Sequence, residues 1–219
     1  MYWETEDRAP EPLAPAAALD VAFPLRGRAL PAAYAAPLAQ ALEARLPDGL
    51  PLAELGLRVT HIPAEGHGWQ RAASEPVLLP RRARLVIRAP RERAGALEAL
   101  AGATLDVGEP AGVTLGAPRR HELPAAETLY APRVLGLGSL EEEAMLAAAR
   151  ERLEAMGAHP RRMLCGRSET LVTPQGRQAT RSLLVDGMGP EAGLRLQAEG
   201  LGTGRCWGCG LFIPHKAVV

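Results

Sequence analysis

Three observations predict an α+β fold for this chain. Period-2 runs of apolar residues, which mark strands, alternate with runs at a spacing of three to four, which mark helices. The resulting order, β-α-β-β-α-β, occurs once before about residue 124 and again after it. Glycine or proline punctuates the junctions, as at Pro90, Gly157, Pro174-Gln175-Gly176 and Gly189-Pro190, where a chain must turn. Two such units in succession predict tandem ferredoxin-like (RRM-like) domains over 18–124 and 125–219, behind an arm over 1–17.

The arm is polar and then rich in Pro and Ala. Leu19, Val21, Phe23 and Leu25 alternate with Asp20, Ala22, Pro24 and Arg26, a strand pattern. Pro24 predicts that this strand is not fully central, because proline gives no N–H to a ladder. Leu38, Leu42 and Leu46 at spacing four predict a helix, with Pro37 in its first turn and Tyr34 in or near its entry. Gly56 to Ile62 reads as a second strand, a loop containing GHGW follows, and Arg82 to Ala89 reads as a third strand. There Arg82, Arg84 and Arg88 share a face with Val86, while Ala83, Leu85 and Ile87 share the other. Pro90 opens a short helix to about Leu100, and Thr104 to Val107 is the fourth strand.

In the second unit Thr128 to Leu135 is strand-like. Ser139 and Glu142 predict a capping box for a helix whose Leu146, Ala149, Leu153 and Met156 make one apolar stripe, closed by Gly157. Glu141, Glu142 and Glu143 suit the first turn of that helix. Met163 to Thr173 and Gln178 to Val185 are strands flanking the Pro-Gln-Gly turn. Gly189-Pro190 begins a helix that Gly200 ends, and Gly208 to Ile213 is the last strand.

The chain of 219 residues has zero formal net charge, so no global basic field announces a nucleic acid. Of its 25 basic residues one is lysine and the rest are arginine. A GC-rich genome accounts for that bias, but arginine also forks phosphates and stacks on bases better than lysine does. No apolar run reaches the roughly 20 residues that span a bilayer, so no membrane partner is expected. The acidic N-terminus MYWETEDRAPEP lacks a secretory pattern, and three cysteines argue against a disulfide scaffold. A cytoplasmic location is the expectation. No dinucleotide fingerprint, Walker loop, serine triad or paired-carboxylate arrangement is visible, and no cofactor is expected.

The densest signal is the segment EGLGTGRCWGCGLFIPHK over 199–216. Glycine at that density lets backbone N–H groups approach a ligand, and N–H groups in concave turns suit phosphate oxygens. A flexible connecting loop is the bland reading of the same residues. Single-stranded RNA binders often use the open sheet face of this fold with aromatics. This chain has few aromatics and none at the expected strand spacing, so arginine and backbone contacts are expected instead.

With that topology and loop, the chain resembles the CRISPR repeat-RNA processing endoribonucleases, the Cas-six group of the repeat-associated RNA-binding superfamily, in its myxobacterial-type branch. The resemblance runs through MYWE, WQR near residue 70, RRARLVIR, AGATLDV, TLYAPRV, RRMLCG, TPQG with TRSLLV, LQAEGLGTGR and the terminal GCGLFIPHK. It implies cleavage of a long CRISPR transcript within each repeat, without metal. A base assists a ribose 2′-OH in attacking the adjacent phosphorus, an acid protonates the leaving 5′-oxygen, and cations steady the extra charge.

The resemblance leads one to expect histidine near the first helix, where this sequence reads LPAAYAAPL and carries Tyr34. Tyr34 is therefore the first catalytic candidate, and His67 in GHGW is the second, as a new titratable group in the same domain. His61, His121 and His159 read as packing, capping or solvated groups. RNA-binding candidates are Arg28, Arg82, Arg84, Arg88, Gly200, Gly202, Gly204, Arg205, Gly208, Gly210, His215 and Lys216, with Lys216 or Arg28 as charge stabiliser. The expected partner is CRISPR repeat RNA, a short stem-loop, together with other subunits of a type I CRISPR effector complex.

Three alternatives stay open. Loss of the expected histidine favours a catalytically inactive subunit that binds the repeat hairpin in an effector complex. Cys206 and Cys209 form C-x-x-C, which Cys165 and His215 would complete as a zinc set; a single C-x-x-C is a weak zinc signal, and no metal is expected. The topology alone also fits a ferredoxin-like small-molecule binder.

Overall fold

The computed structural model of the protein describes residues 14–62, 75–109 and 112–216. The first half runs β1 (Ala18–Arg26), β2 (Ala29–Leu30), α1 (Ala35–Glu43), β3 (Gly56–Thr60), β4 (Val77–Leu78), β5 (Arg84–Pro90), β6 (Thr104–Leu105), β7 (Val113–Leu115) and β8 (Arg119–Glu122). The second runs β9 (Thr128–Val134), α2 (Glu142–Ala155), β10 (Arg162–Thr173), β11 (Gly176–Asp186), α3 (Pro190–Glu199) and β12 (Ile213–Pro214). Two principal sheets result, with orders β3-β5-β1-β7-β6 and β10-β11-β9-β12, and β8 also pairs with β1. In the second sheet the first strand, β9, lies between the third and the fourth of its unit, and in the first sheet β1 lies between the third, β5, and a fourth position filled by β7 and β8. This is the ferredoxin-like arrangement expected from the sequence. The expected fourth strand does not take that place, because Thr104–Leu105 (β6) pairs with β7 at the edge of the sheet.

The alternation in β1 does what its period dictates. Val21 and Phe23 are fully buried on the α1 side with Leu38 and Leu42, and each such side chain contributes roughly 1.5–3 kcal/mol relative to exposure. Asp20, Ala22 and Pro24 take the other face. Contrary to expectation, β1 is central: β5 pairs along one edge, and β8 then β7 pair along the other. Proline is tolerated because Leu25 N bonds Ala83 O on the β5 side, so the Pro24 nitrogen faces the gap between β8 and β7. There only the Pro24 carbonyl is used, by Gly116 N at 2.8 Å.

Several boundaries moved for identifiable reasons. The helix expected from Pro90 is a run of turns ending in a 3₁₀ turn, Ala96–Leu100. Ala94, Leu97 and Leu100, all buried, recur every three residues, which matches the 3.0-residue period of that helix and not 3.6. Helix α2 starts at Glu142 with Glu141 as N-cap. Ser139 is no capping-box residue: its Oγ accepts the Glu141 N–H, two residues on. Met145, Ala149 and Leu153 are the buried stripe, with Leu146 and Met156 packed at its margin. The last strand shrinks to Ile213–Pro214, because Gly208 (φ 83°) and Gly210 (φ 64°) break the extended run before it.

The halves are cross-linked by burial as well as by chain. Ala16, Ala18 and Leu123 pack on Leu194 and Ala198 of α3. Trp207 packs against the first core, whereas Phe212 is fully buried in the second. Arg88 of β5, 3% exposed, donates to the carbonyls of Gln197 and Phe212 at 3.0 and 2.8 Å.

Candidate functional site

The glycine-rich segment is a folded clasp. Gly200 caps α3 and the chain returns along β9, so that Thr203 N bonds Leu135 O at 2.8 Å and Gly210 N bonds Arg133 O at 2.7 Å. Leu201 N reaches Gly210 O, and Cys209 N reaches Gly204 O. Between these anchors Arg205–Trp207 makes one 3₁₀ turn against α1 and β3 of the first half. Many of the N–H groups expected to face phosphate are thus held by the protein's own carbonyls. The glycines answer to packing: a Cβ on Gly202 would lie 2.1 Å from Leu135 O, and one on Gly210 would lie 2.1 Å from Leu201 O.

The clasp and the β10–β11 hairpin border an open groove of about 570 Å³, lined by Ala53, Gln175, Gln178, Thr203, Arg205 and Trp207 among others. Arg205 is half-buried there, and its Nη2 donates to Ala198 O at 2.8 Å. Burial first, and then the neighbouring Arg88 charge, hold its pKa below the ordinary guanidinium value, with Glu199 opposing.

Tyr34 is the N-cap residue of α1, and its carbonyl accepts Leu38 N at 2.9 Å. Its half-buried ring packs on the first core. Nothing in the local sequence announces what it faces. Arg133, in an irregularity of β9 where the register with β11 shifts, donates from Nε to Glu169 Oε2 of β10 at 3.1 Å. Burial opposes charge on Arg133, but the Tyr34 phenol and the Glu169 carboxylate, with Cys209 contributing least, outweigh it and raise the pKa. The Arg133–Glu169 ion pair therefore lies within electrostatic reach of the Tyr34 phenol at the entry of α1.

Burial pushes the Cys209 thiol up to about 11 despite the nearby Arg133; Cys165 and Cys206 are raised by burial too. Among the described residues, no group of three or more His, Cys, Asp or Glu side chains is placed to hold a metal ion, so Cys165, Cys206, Cys209 and His215 do not form one set.

The arginine face is present but its membership changes. Arg84, Val86 and Arg88 share the face of the first sheet opposite α1, while Leu85 and Ile87 enter the core. Arg82 lies in the turn before β5, exposed. Arg88 is not a surface cation: it is buried against Asp20, Gln197 and Phe212. The register adds two arginines that sequence reading missed, since Arg58, Val86, Ala22 and Arg119 form one cross-strand row. Arg119 is exposed, and Arg58 pairs with Asp20 at 3.1 Å. Arg28 is exposed between β1 and β2. His67 lies outside the described residues.

One aromatic pair does lie on the second sheet. Tyr130 stands on the central strand β9 facing away from the helices, and His215 lies beside it with ring centroids 5.4 Å apart. Lys216 follows, exposed.

Repeated topology, the clasp between last helix and last strand, and the joined halves define a tandem ferredoxin-like protein. The family model described as Cas6 Crispr matches residues 19–217, and the chain belongs to that family, as its motifs led one to expect. Over 198 residues it is 30% identical to the CRISPR-associated endonuclease Cas6 of Myxococcus xanthus (strain DK1622), spanning 90% of this chain and 81% of that protein. Among solved structures, the fold is shared with the product of a Cas6-related gene from Pyrococcus furiosus, at TM-score 0.60 and 13% identity over 92% of this chain and 100% of that one. It is shared also with a CRISPR associated protein Cas6 at TM-score 0.58 and 12% identity, over 91% and 100% of the two chains. A RAMP protein binding different RNA substrates aligns at TM-score 0.56 and 13% identity, over 89% and 98%.

Proposed function

We propose that this protein is an endoribonuclease that binds CRISPR repeat RNA as a short stem-loop and cuts the precursor transcript within each repeat. The observation that carries the reading is the match of the Cas6 family model to residues 19 to 217; the electrostatic influence of Tyr34 on Arg133, which helps raise the Arg133 pKa, supports looking for the chemistry there. The reaction is metal-independent. A ribose 2′-OH loses its proton to a base and its oxygen bonds the adjacent phosphorus. The bond from phosphorus to the 5′-oxygen breaks, and an acid protonates that oxygen. A 2′,3′-cyclic phosphate and a free 5′-hydroxyl result. Tyr34 lies beside the scissile phosphate as proton donor or orienting group, His67 is its proton-transfer partner, and Arg133 meets the charge on the phosphoryl oxygens. Lys216 and Arg28 add cations from outside this core. The exposed Arg82 and Arg119, the half-buried Arg84, the groove beside Arg205, and His215 with Lys216 hold RNA backbone. The units of this reading are an arm over 1–17 and domains over 18–124 and 125–219.

A second reading is favoured by one observation, the tyrosine where the family pattern leads one to expect histidine. In it the protein binds the repeat hairpin within a type I effector complex without cutting. Incubating the full chain with repeat transcript in EDTA distinguishes the two. Cleavage with a cyclic phosphate end supports the nuclease; tight binding to uncut RNA supports the binding subunit.

A further inference from the structure

We propose that the helix-free face of the second sheet is a stacking platform for an unpaired nucleobase of single-stranded RNA, centred on Tyr130 and His215. The proposal rests on the RNA-binding reading above and deepens it at His215 and Lys216, adding base stacking to backbone contact. Leu129 and Ala131 are fully buried in the second core, so strand alternation turns Tyr130 to the opposite face. Register then places Ile213, Tyr130, Leu184 and Leu164 in one row across the four strands. Leu164, on the edge strand β10, is 44% exposed.

The Tyr130 and His215 rings are tilted by 56° at 5.4 Å, within the range of favourable aromatic pairs. The Tyr130 hydroxyl has no hydrogen-bond partner among the described residues. The ring is thus held by a neighbour on one side while its polar tip is unused.

The surrounding charge suits a nucleotide better than an apolar peptide. The adjacent row carries Arg162, Asp186 and Thr128, and Asp186 accepts the Thr128 hydroxyl. Lys216, the only lysine in the chain, directly follows His215. Single-stranded nucleic acid combines stacked bases with positive charge for its phosphates, and here Arg162 stands on the edge strand of the adjacent row while Lys216 is next in sequence to His215. An aromatic on a central strand of an open ferredoxin-like sheet is also where RNA-binding sheets place their stacking residues.

The test uses the full chain with two probes, an oligouridine of about 12 nucleotides and an abasic ribose-phosphate oligomer of equal length, at about 50 mM salt. Wild type is expected to bind oligouridine about tenfold more tightly than the abasic oligomer. Tyr130→Phe should keep that ratio, and Tyr130→Ala should bring it close to one. Because the ratio is read first on wild type, loss of fold in a variant does not protect the idea. A 5-iodouridine oligomer should photocrosslink to Tyr130 or His215, an adduct that a purely structural ring would not form. Equal affinity of wild type for the two probes, no binding of either, or crosslinks confined to other residues would overturn the platform. If repeat RNA is still bound or cut in that event, the reading of function stands without it.

Discussion

Arg88 grips Asp20 with two hydrogen bonds, Nε to Oδ1 at 2.8 Å and Nη2 to Oδ2 at 3.1 Å. Its Nη1 points the other way, to the carbonyls of Gln197 and Phe212. One buried guanidinium therefore joins the central strands of the first sheet to the end of α3 and the approach to β12. Removing one partner of such a pair leaves an uncompensated buried charge, which costs about 3–5 kcal/mol. Asp20→Asn and Arg88→Met should each lower the urea midpoint by a corresponding amount. The double variant should recover part of the loss, and a purely additive double variant would argue against coupling.

The same pair makes the fold acid-sensitive. Burial alone would raise the Asp20 pKa, but the Arg88 hydrogen bond and charge, then those of Arg58, outweigh burial and lower it. A carboxylate depressed in the folded state stabilises above its unfolded pKa of about 3.9 and loses that contribution as pH falls through the folded value. Wild-type stability should therefore fall below about pH 4. Asp20→Asn, already weakened, should show a shallower dependence over that window by chemical denaturation.

The glycine clasp predicts loss of fold rather than loss of RNA alone. Gly202 (φ 85°) and Gly210 (φ 64°) occupy left-handed backbone, and added Cβ atoms would overlap the Leu135 and Leu201 carbonyls. Gly202→Val and Gly210→Val should both lower the melting temperature, each costing about 2–4 kcal/mol of stability. An unchanged melting temperature for Gly202→Val would restore the reading of the segment as a flexible connecting loop.

What was legible in the sequence was local and periodic. The strand of β1, the α1 stripe, the β10–β11 hairpin and the α3 boundaries follow from alternation, spacing and turn residues, and two repeats of one order implied the architecture. What was illegible depends on long-range pairing. Arg88 reads like Arg84 along the strand, and only the arrival of residues 197 and 212 buries it. Arg133 comes within electrostatic reach of Tyr34 from the other half, at a register shift that no period announces. Pro24 misled because its missing N–H faces a gap, and a gap between two partner strands leaves no mark on β1 itself. Arg119 entered the basic face because β8 pairs with β1, a match its exposed, polar sequence does not signal.

That corrected face predicts a salt signature. Removing one phosphate-binding cation should reduce the slope of log affinity against log salt by about 0.7–0.9. Arg84→Ala with Arg119→Ala should weaken repeat-RNA binding and flatten the slope, since both side chains lie on the open face without a carboxylate partner among the described residues. Titrations at several salt concentrations measure this. An unchanged slope would remove the face from the RNA path.

The last prediction concerns chemistry at the junction. Tyr34→Phe keeps the ring that packs on the first core and removes only the hydroxyl, so the fold should persist. If that hydroxyl moves or orients a proton, cleavage should slow by about 10²–10⁴-fold. Arg133→Met removes the guanidinium that Glu169 orients, and should slow cleavage by about 10²–10³-fold, the range for losing one donor to a developing oxyanion. Glu169→Gln should act more mildly, because the guanidinium remains and only its orientation loosens. Single-turnover cleavage with saturating enzyme isolates the chemical step from product release, and binding of uncut RNA measured alongside separates chemistry from affinity. If Tyr34→Phe cuts at the wild-type rate while Arg133→Met does not, the tyrosine is a packing residue and Arg133 acts with another group.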